Sequence, residues 1–233
     1  MFESILKERE ITRLCHFTKS KNLPFILGEG IDSDDGILAN NFISDTSFLD
    51  KTDKDRYDKH EDYICTSVQY PNCYYFSSVL KRSINQIFNE WVILLIDPKV
   101  IDQTTKFCSV NAATKGGTLI EKGPEALEKM FDEVVVGKTD FYRPDSYPDN
   151  TPTNIQGEVL VYKKVAKEDI IGLVFPTDKI AENECLRLEL CGVNIKDYDI
   201  VSSSDLFEKK EVVKLLKKGE LPYEKVMKIS NHG

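Results

Sequence analysis

A chain of 233 residues with 41% apolar and 10% aromatic content can bury a full core, and its length fits a single domain. Acidic residues outnumber Lys and Arg by 39 to 31, and the resulting net charge of -8 excludes a globally basic nucleic-acid binder, leaving room only for a local basic strip. The six cysteines (Cys15, Cys65, Cys73, Cys108, Cys185, Cys191) form no Cys-x-x-Cys pair and there are three histidines, so reduced core thiols are expected, with no disulfide framework and no metal centre.

The opening stretch from Met1 to Glu10 is charged and amphipathic, without a long apolar segment. Nowhere does the chain approach the ~20 apolar residues of a membrane span, so a soluble, cytoplasmic protein is expected. Arg13 to Phe17 alternates as a short strand. Ser20 is then placed to cap a helix from Lys21 to Leu27, with Pro24 in its first turn and Gly28 or Gly30 at its end. A long polar connection from Ile31 to Asp62 mixes acids with Lys51, Lys54, Arg56 and Lys59, and a loop of that length is usually functional or disordered. Tyr63 to Gln69 reads as a strand, and Tyr74 to Asn89 as a helix whose face is Phe76, Val79, Leu80, Ile84, Ile87 and Phe88.

The continuous apolar run Trp91 to Ile96, stopped by Asp97-Pro98, suits a strand covered on both faces. A short strand around Phe107 to Val110, a Gly-Gly turn and a helix from Glu125 to Phe131 behind Pro124 follow. The proline-bearing loop from Phe141 to Thr153 leads into a strand opened by Gln156-Gly-Glu158; strand alternation would point Gln156 and Glu158 the same way. After a second apolar run, Ile170 to Phe175, Thr177 caps a helix through Leu190 and Tyr198 to Val201 forms a last strand. Ser204 then caps a lysine-rich helix ending at Gly219. The strands are too many for one helix set to sandwich, so the fold expected is α+β, a split mixed sheet with flanking helices over 1–233, its core about 11–201 and its basic helix about 204–219.

Several of these stretches, in this order, resemble the DarT-type ADP-ribosyltransferases. They are Arg13-Leu-Cys-His16-Phe-Thr18 with Asn22 behind it, Asp55-Arg56-Tyr57-Asp58 ahead of the strand Ile64 to Gln69, Phe107-Cys-Ser-Val-Asn111, and Gln156-Gly-Glu158 followed by Ile170 to Val174. The resemblance implies an ADP-ribosyltransferase-like sheet, NAD as co-substrate, and a pocket lined by His16, Thr18, Asn22 and Gln156. It implies that Glu158 and Arg56 are the catalytic pair, and that Asn111, Tyr142, Arg143 and Tyr147 hold the acceptor. Where thymine-acting members carry a Pro-Arg-Ser-Pro-like segment, this chain has Tyr70-Pro-Asn-Cys-Tyr-Tyr75, which leaves the base open.

Chemistry supports these roles. Cleavage at the nicotinamide ribose passes through an oxocarbenium-like centre, which a carboxylate at Glu158 would stabilise before taking a proton from the acceptor base. Arg56 is either a clamp on pyrophosphate or base, or a solvated arginine among acids. His16 is either a donor to the NAD ribose or a hydrogen-bonded core histidine. Tyr142, Arg143 and Tyr147 would stack and anchor an unpaired strand, with Lys209, Lys210, Lys214, Lys217 and Lys218 as a phosphate strip.

The activity expected is transfer of ADP-ribose to a base of single-stranded DNA, with RNA as the alternative acceptor and a protein side chain behind both. A non-catalytic nucleotide-binding module is the competing class. The resemblance further implies a toxin–antitoxin or phage-defence setting and a neutralising partner, commonly a macrodomain hydrolase.

Overall fold

The computed structural model describes residues 1–28, 35–43 and 56–228. Its helices are α1 (Phe2–Glu8), α2 (Leu23–Leu27), α3 (Cys73–Ser83), α4 (Pro124–Lys129), α5 (Asp178–Leu190) and α6 (Lys209–Lys217). Its strands are β1 (Leu14–Lys19), β2 (Ile37–Leu38), β3 (Tyr63–Val68), β4 (Trp91–Ile96), β5 (Lys106–Cys108), β6 (Glu121–Lys122), β7 (Val134–Val136), β8 (Asp140–Tyr142), β9 (Glu158–Tyr162), β10 (Lys164–Val165), β11 (Ile170–Phe175), β12 (Asp199–Ser202) and β13 (Lys225–Val226). Among the described residues no helix is long and apolar enough to cross a membrane.

One nine-stranded sheet runs β13-β12-β11-β4-β1-β3-β9-β5-β6. Among the described residues only β11 and β12 pair in parallel, so the sheet is mixed and the fold is α+β, as the element count indicated. The uninterrupted apolar run of β4 sits near its middle and is buried at every position. Val92, Leu94 and Ile96 point into a core shared with α1, α2, α4 and α5, while Trp91, Ile93 and Leu95 face a second core under α3 and α6. Strand alternation thus places one sequence run in two cores.

The sheet is split between β1 and β3. β1 pairs with β4 over all six of its residues, but with β3 only at Leu14–Val68 and Cys15–Ser67. Further along, β3 turns to β9, pairing from Tyr63–Tyr162 to Thr66–Val159. Beyond the last β1–β3 pair, a side chain spans the opening: His16 Nδ1 lies 2.8 Å from the Cys65 carbonyl oxygen.

Several local expectations change. Ser20 does not cap a helix; Ser20–Asn22 is a 3-10 turn and α2 begins at Leu23, ending at Gly28. Gly30, the other expected stop, and Lys51 and Lys54 of the charged connection lie outside the described residues. α3 ends at Ser83, because Ile84, Ile87 and Phe88 have helical spacing but no surface to cover, and Ile87 is 92% exposed. Ser204 precedes a 3-10 turn and Glu208 is the residue before α6. Gln156-Gly-Glu158 and Ile170 to Val174, which the resemblance takes as a strand pair, are not adjacent in the sheet: β4, β1 and β3 stand between β11 and β9. Val134 to Tyr142 form a small hairpin, β7–β8, that alternation over three residues is too short to announce.

Candidate active site

Glu158 is the first residue of β9, and its neighbour on β5 is Cys108. The preceding Gly157 lies against the Asn154 and Cys108 carbonyls, where an added Cβ would come within 3.1 Å of the first and 3.4 Å of the second. A glycine therefore suits the tight entry to the strand. Glu158 is 6% exposed, and its carboxylate is held by three donors. Asn72 Nδ2 and Asn111 Nδ2 each donate to Oε1 at 3.0 Å, and the Ala112 backbone N–H donates to Oε2 at 2.9 Å.

Burial pushes the Glu158 carboxyl up to about 7, against the lowering effect of the Ala112 N–H and the Asn72 amide. Asp58 adds to the rise and the Arg56 charge opposes it. A carboxylate titrating there is poised to exchange a proton at neutral pH.

Arg56 is not a solvated surface arginine. Its Nε and Nη2 form a fork on Asp58, at 2.9 and 2.6 Å, and Nη1 donates to the Tyr63 carbonyl at 2.7 Å. Both side chains are buried. Burial would raise the Asp58 pKa, yet the guanidinium holds it below the usual carboxylate range. The fork fixes the Arg56 charge where it acts on both Glu158 and His16.

Since a carbonyl only accepts, His16 Nδ1 carries the hydrogen and Nε2 of the neutral ring is an acceptor. Burial lowers the His16 pKa, with the Arg56 charge in the same direction and the Cys65 bond opposing, so the ring is neutral at pH 7. Two residues along β1, on the same face, Thr18 Oγ1 accepts from Asn22 Nδ2 at 3.0 Å. Among the described residues, the side-chain oxygen Oδ1 of Asn22 is buried without a hydrogen-bond partner, an acceptor whose burial is costly until a donor arrives.

The remaining expectations are placed differently. Gln156 lies in the turn closed by Gly157 N–H on Asn154 O, before the strand starts, so alternation does not pair it with Glu158. Asn111, read as an acceptor contact, holds the carboxylate instead. Tyr142 is 71% exposed at the end of β8. Arg143 spends its fork on its own loop, donating to the Thr151 and Pro148 carbonyls at 2.6 and 2.9 Å. Tyr147 is half-buried against the core that holds Phe17 and Tyr75. Of the lysine strip, Lys209 stands 4.9 Å over the Tyr74 ring and Lys214 pairs with Glu211. Asn72 escaped notice in the sequence; the signal was its place after Pro71, since its Oδ1 caps α3 by accepting from Tyr75 N–H at 3.2 Å.

Residues 15–207 match the protein family described as DarT, ssDNA thymidine ADP-ribosyltransferase. A comparison with curated protein sequences found no match. Among solved structures, the fold is similar to Thermosipho africanus DarTG in complex with ADP-ribose, with a TM-score of 0.57 at 12% identity over 84% of this chain. The matched part is 51% of that protein, so this chain spans about half its length. It is also similar to Thermus sp. 2.9 DarT in complex with NAD+ (TM-score 0.55, 14% identity, 85% of this chain and 98% of that one). The same Thermus protein in complex with ADP-ribosylated ssDNA gives 0.56 at 15% identity, over 85% and 97% of the two chains.

Proposed function

The chain belongs to the DarT family of NAD-dependent ADP-ribosyltransferases, and on that premise we propose that it transfers ADP-ribose from NAD to a base in single-stranded DNA, releasing nicotinamide. The observation that carries this reading is Glu158, a buried carboxylate titrating near 7 and held by three donors at the start of β9. In its ionised form it stabilises the oxocarbenium-like ribose and then accepts the proton of the attacking base nitrogen. Arg56, fixed by Asp58, supplies the positive charge beside it. NAD is held along β1: His16 Nε2 accepts from a ribose hydroxyl, and the buried Asn22 oxygen takes a donor of the dinucleotide, with Thr18 orienting that amide.

The base must be unpaired. Its acceptor nitrogen is hidden in a duplex, flipping it out costs a few kcal/mol, and a chain of net charge -8 has little surface for that work. Tyr74, with Lys209 over its ring, offers an aromatic and cationic contact for a strand. The family's acceptor, thymidine, is the first candidate. RNA is the second, because Tyr70 to Tyr75 differs from the segment of thymine-acting members. The same reading makes the protein a cytoplasmic toxin, of a toxin–antitoxin or phage-defence system, opposed by a macrodomain hydrolase that removes the modification.

The test is to incubate the purified protein with labelled NAD and separate pools of single-stranded DNA, the same DNA annealed to its complement, RNA and protein. Label is expected in single-stranded DNA far above the duplex. Equal labelling of single-stranded and duplex DNA would contradict the proposal, and label confined to RNA or protein would replace its acceptor.

A further inference from the structure

The three donors on Glu158 are unevenly shared. Among the described residues, Oε1 accepts from two amides, Asn72 Nδ2 and Asn111 Nδ2, while Oε2 accepts from one donor, the Ala112 N–H. An ionised carboxylate has about four lone-pair sites, two on each oxygen. The protein therefore fills both sites on Oε1 and one on Oε2.

Neither amide can be turned around at low cost. Asn72 Oδ1 accepts from the Tyr75 N–H in the first turn of α3, and Asn111 Oδ1 accepts from the Ala113 N–H at 3.2 Å. Flipping either would set a carbonyl oxygen against the carboxylate and an amide NH2 against a backbone N–H. The backbone of Asn72 is also held: its N–H donates to Ser67 Oγ at 3.1 Å, and that hydroxyl donates to the Cys15 carbonyl at 3.4 Å. With 3% of its surface exposed, Asn72 ties β1, β3 and the start of α3 to one oxygen of Glu158.

We propose that Asn72 is a positioning residue which, with Asn111, occupies Oε1 and leaves Oε2 as the oxygen through which Glu158 acts on substrate. This rests on the reading of Glu158 as the catalytic carboxylate. The C1′–N bond to nicotinamide breaks and its electron pair leaves with nicotinamide. The acceptor nitrogen forms the new bond to C1′, and its proton passes to Oε2 and from there to solvent. Without the Asn72 donor the anion is less stabilised and Oε1 competes with Oε2 for the substrate. The loss then falls on the chemical step and its pH dependence, and spares NAD binding.

Two variants separate this role from a packing role. Asn72→Ser keeps an oxygen able to cap α3 but removes the amide donor; Asn72→Asp keeps the capping acceptor and sets a second carboxylate against Oε1. For each, kcat and KM for NAD are measured from acid to alkaline pH with saturating single-stranded DNA, beside the thermal midpoint. The rising limb of kcat is expected to move up by about one pH unit in Asn72→Ser, as loss of one charge-assisted hydrogen bond implies, and further in Asn72→Asp. At neutral pH, kcat of Asn72→Ser should fall roughly fivefold, as a one-unit shift from about 7 implies, with KM for NAD within about twofold. A folded variant with the wild-type limb and wild-type kcat would overturn the proposal, as would a change confined to KM. If one variant does not fold, the other decides. A wild-type profile with no rising limb would overturn the reading of Glu158 itself, a different result from a limb that is present and does not move.

Discussion

Two polar segments lead to Glu158, and they spend their hydrogen bonds in opposite ways. Asn72, Asn111 and the Ala112 N–H come from distant parts of the chain and converge on one carboxylate. The loop from Arg143 to Asn154 is just as polar, but it turns inward: Arg143 holds the Thr151 and Pro148 carbonyls, Thr153 Oγ1 donates to the Asp132 carbonyl at 2.6 Å, and Asn154 Oδ1 accepts from the Gln156 N–H at 3.0 Å. Backbone groups taken from water need partners, and this loop meets that need with its own side chains. The first segment uses its donors to tune a titrating group. Residue type alone therefore does not separate a site from a scaffold; the identity of the hydrogen-bond partner does.

Breaking the first segment should have the largest effect. Glu158→Ala removes the charge stabilisation and the base together, so transfer is expected to fall by at least the ~10²–10⁴ that a general base contributes, with NAD still bound. Single-turnover transfer and calorimetry with NAD measure both; near-wild-type turnover would dissolve the distinction between the two segments.

A stability measurement sharpens it. In the folded protein Glu158 titrates near 7, against an ordinary 4.5, so between those values the folded state binds more protons than the unfolded one. Stability linked to this group is thus fully present below about 4.5 and is lost as pH rises through 7, by on the order of 3 kcal/mol. Denaturant melts of wild type and Glu158→Gln across that window should diverge in slope; identical slopes would mean that Glu158 titrates as an exposed carboxylate does.

The smallest effect on chemistry is expected in the other segment. Arg143→Ala strands two loop carbonyls and should cost about 1–3 kcal/mol of stability, while kcat per folded molecule stays near wild type. Tyr142→Ala, at an exposed position, should change stability by no more than about 0.5 kcal/mol. Thermal melts and strand KM values read both. An unchanged midpoint in Arg143→Ala with a strand KM raised more than tenfold would return that arginine to the acceptor.

Much of the scaffold was legible because its signals are local. The alternation of β1, the apolar run of β4 and the Thr177 cap of α5, whose oxygen accepts from the Ile180 N–H at 3.3 Å, need only neighbouring residues to be recognised. Where local pattern had no tertiary counterpart it misled: the helical spacing beyond Ser83 meets no surface, and the pairing of Gln156 with Glu158 assumed a strand that begins two residues later. In the site, Glu158 and His16 were readable as residues, but their states were not. The upward shift of Glu158 comes from burial, and the tautomer of His16 from a carbonyl on the far side of the split.

The sequence by itself determined the main strands β1, β3, β4, β5, β9, β11 and β12 and most of the helices, because periodicity, caps and apolar runs act over a few residues, and the resemblance pointed to the candidate carboxylate. Tertiary structure alone decided that Asn72 and Asn111, 86 and 47 residues away in the chain, close on Glu158 and that Arg143 does not. Those contacts follow from β9 pairing with β3 and β5, a long-range register that brings distant donors to one oxygen and that no local pattern encodes.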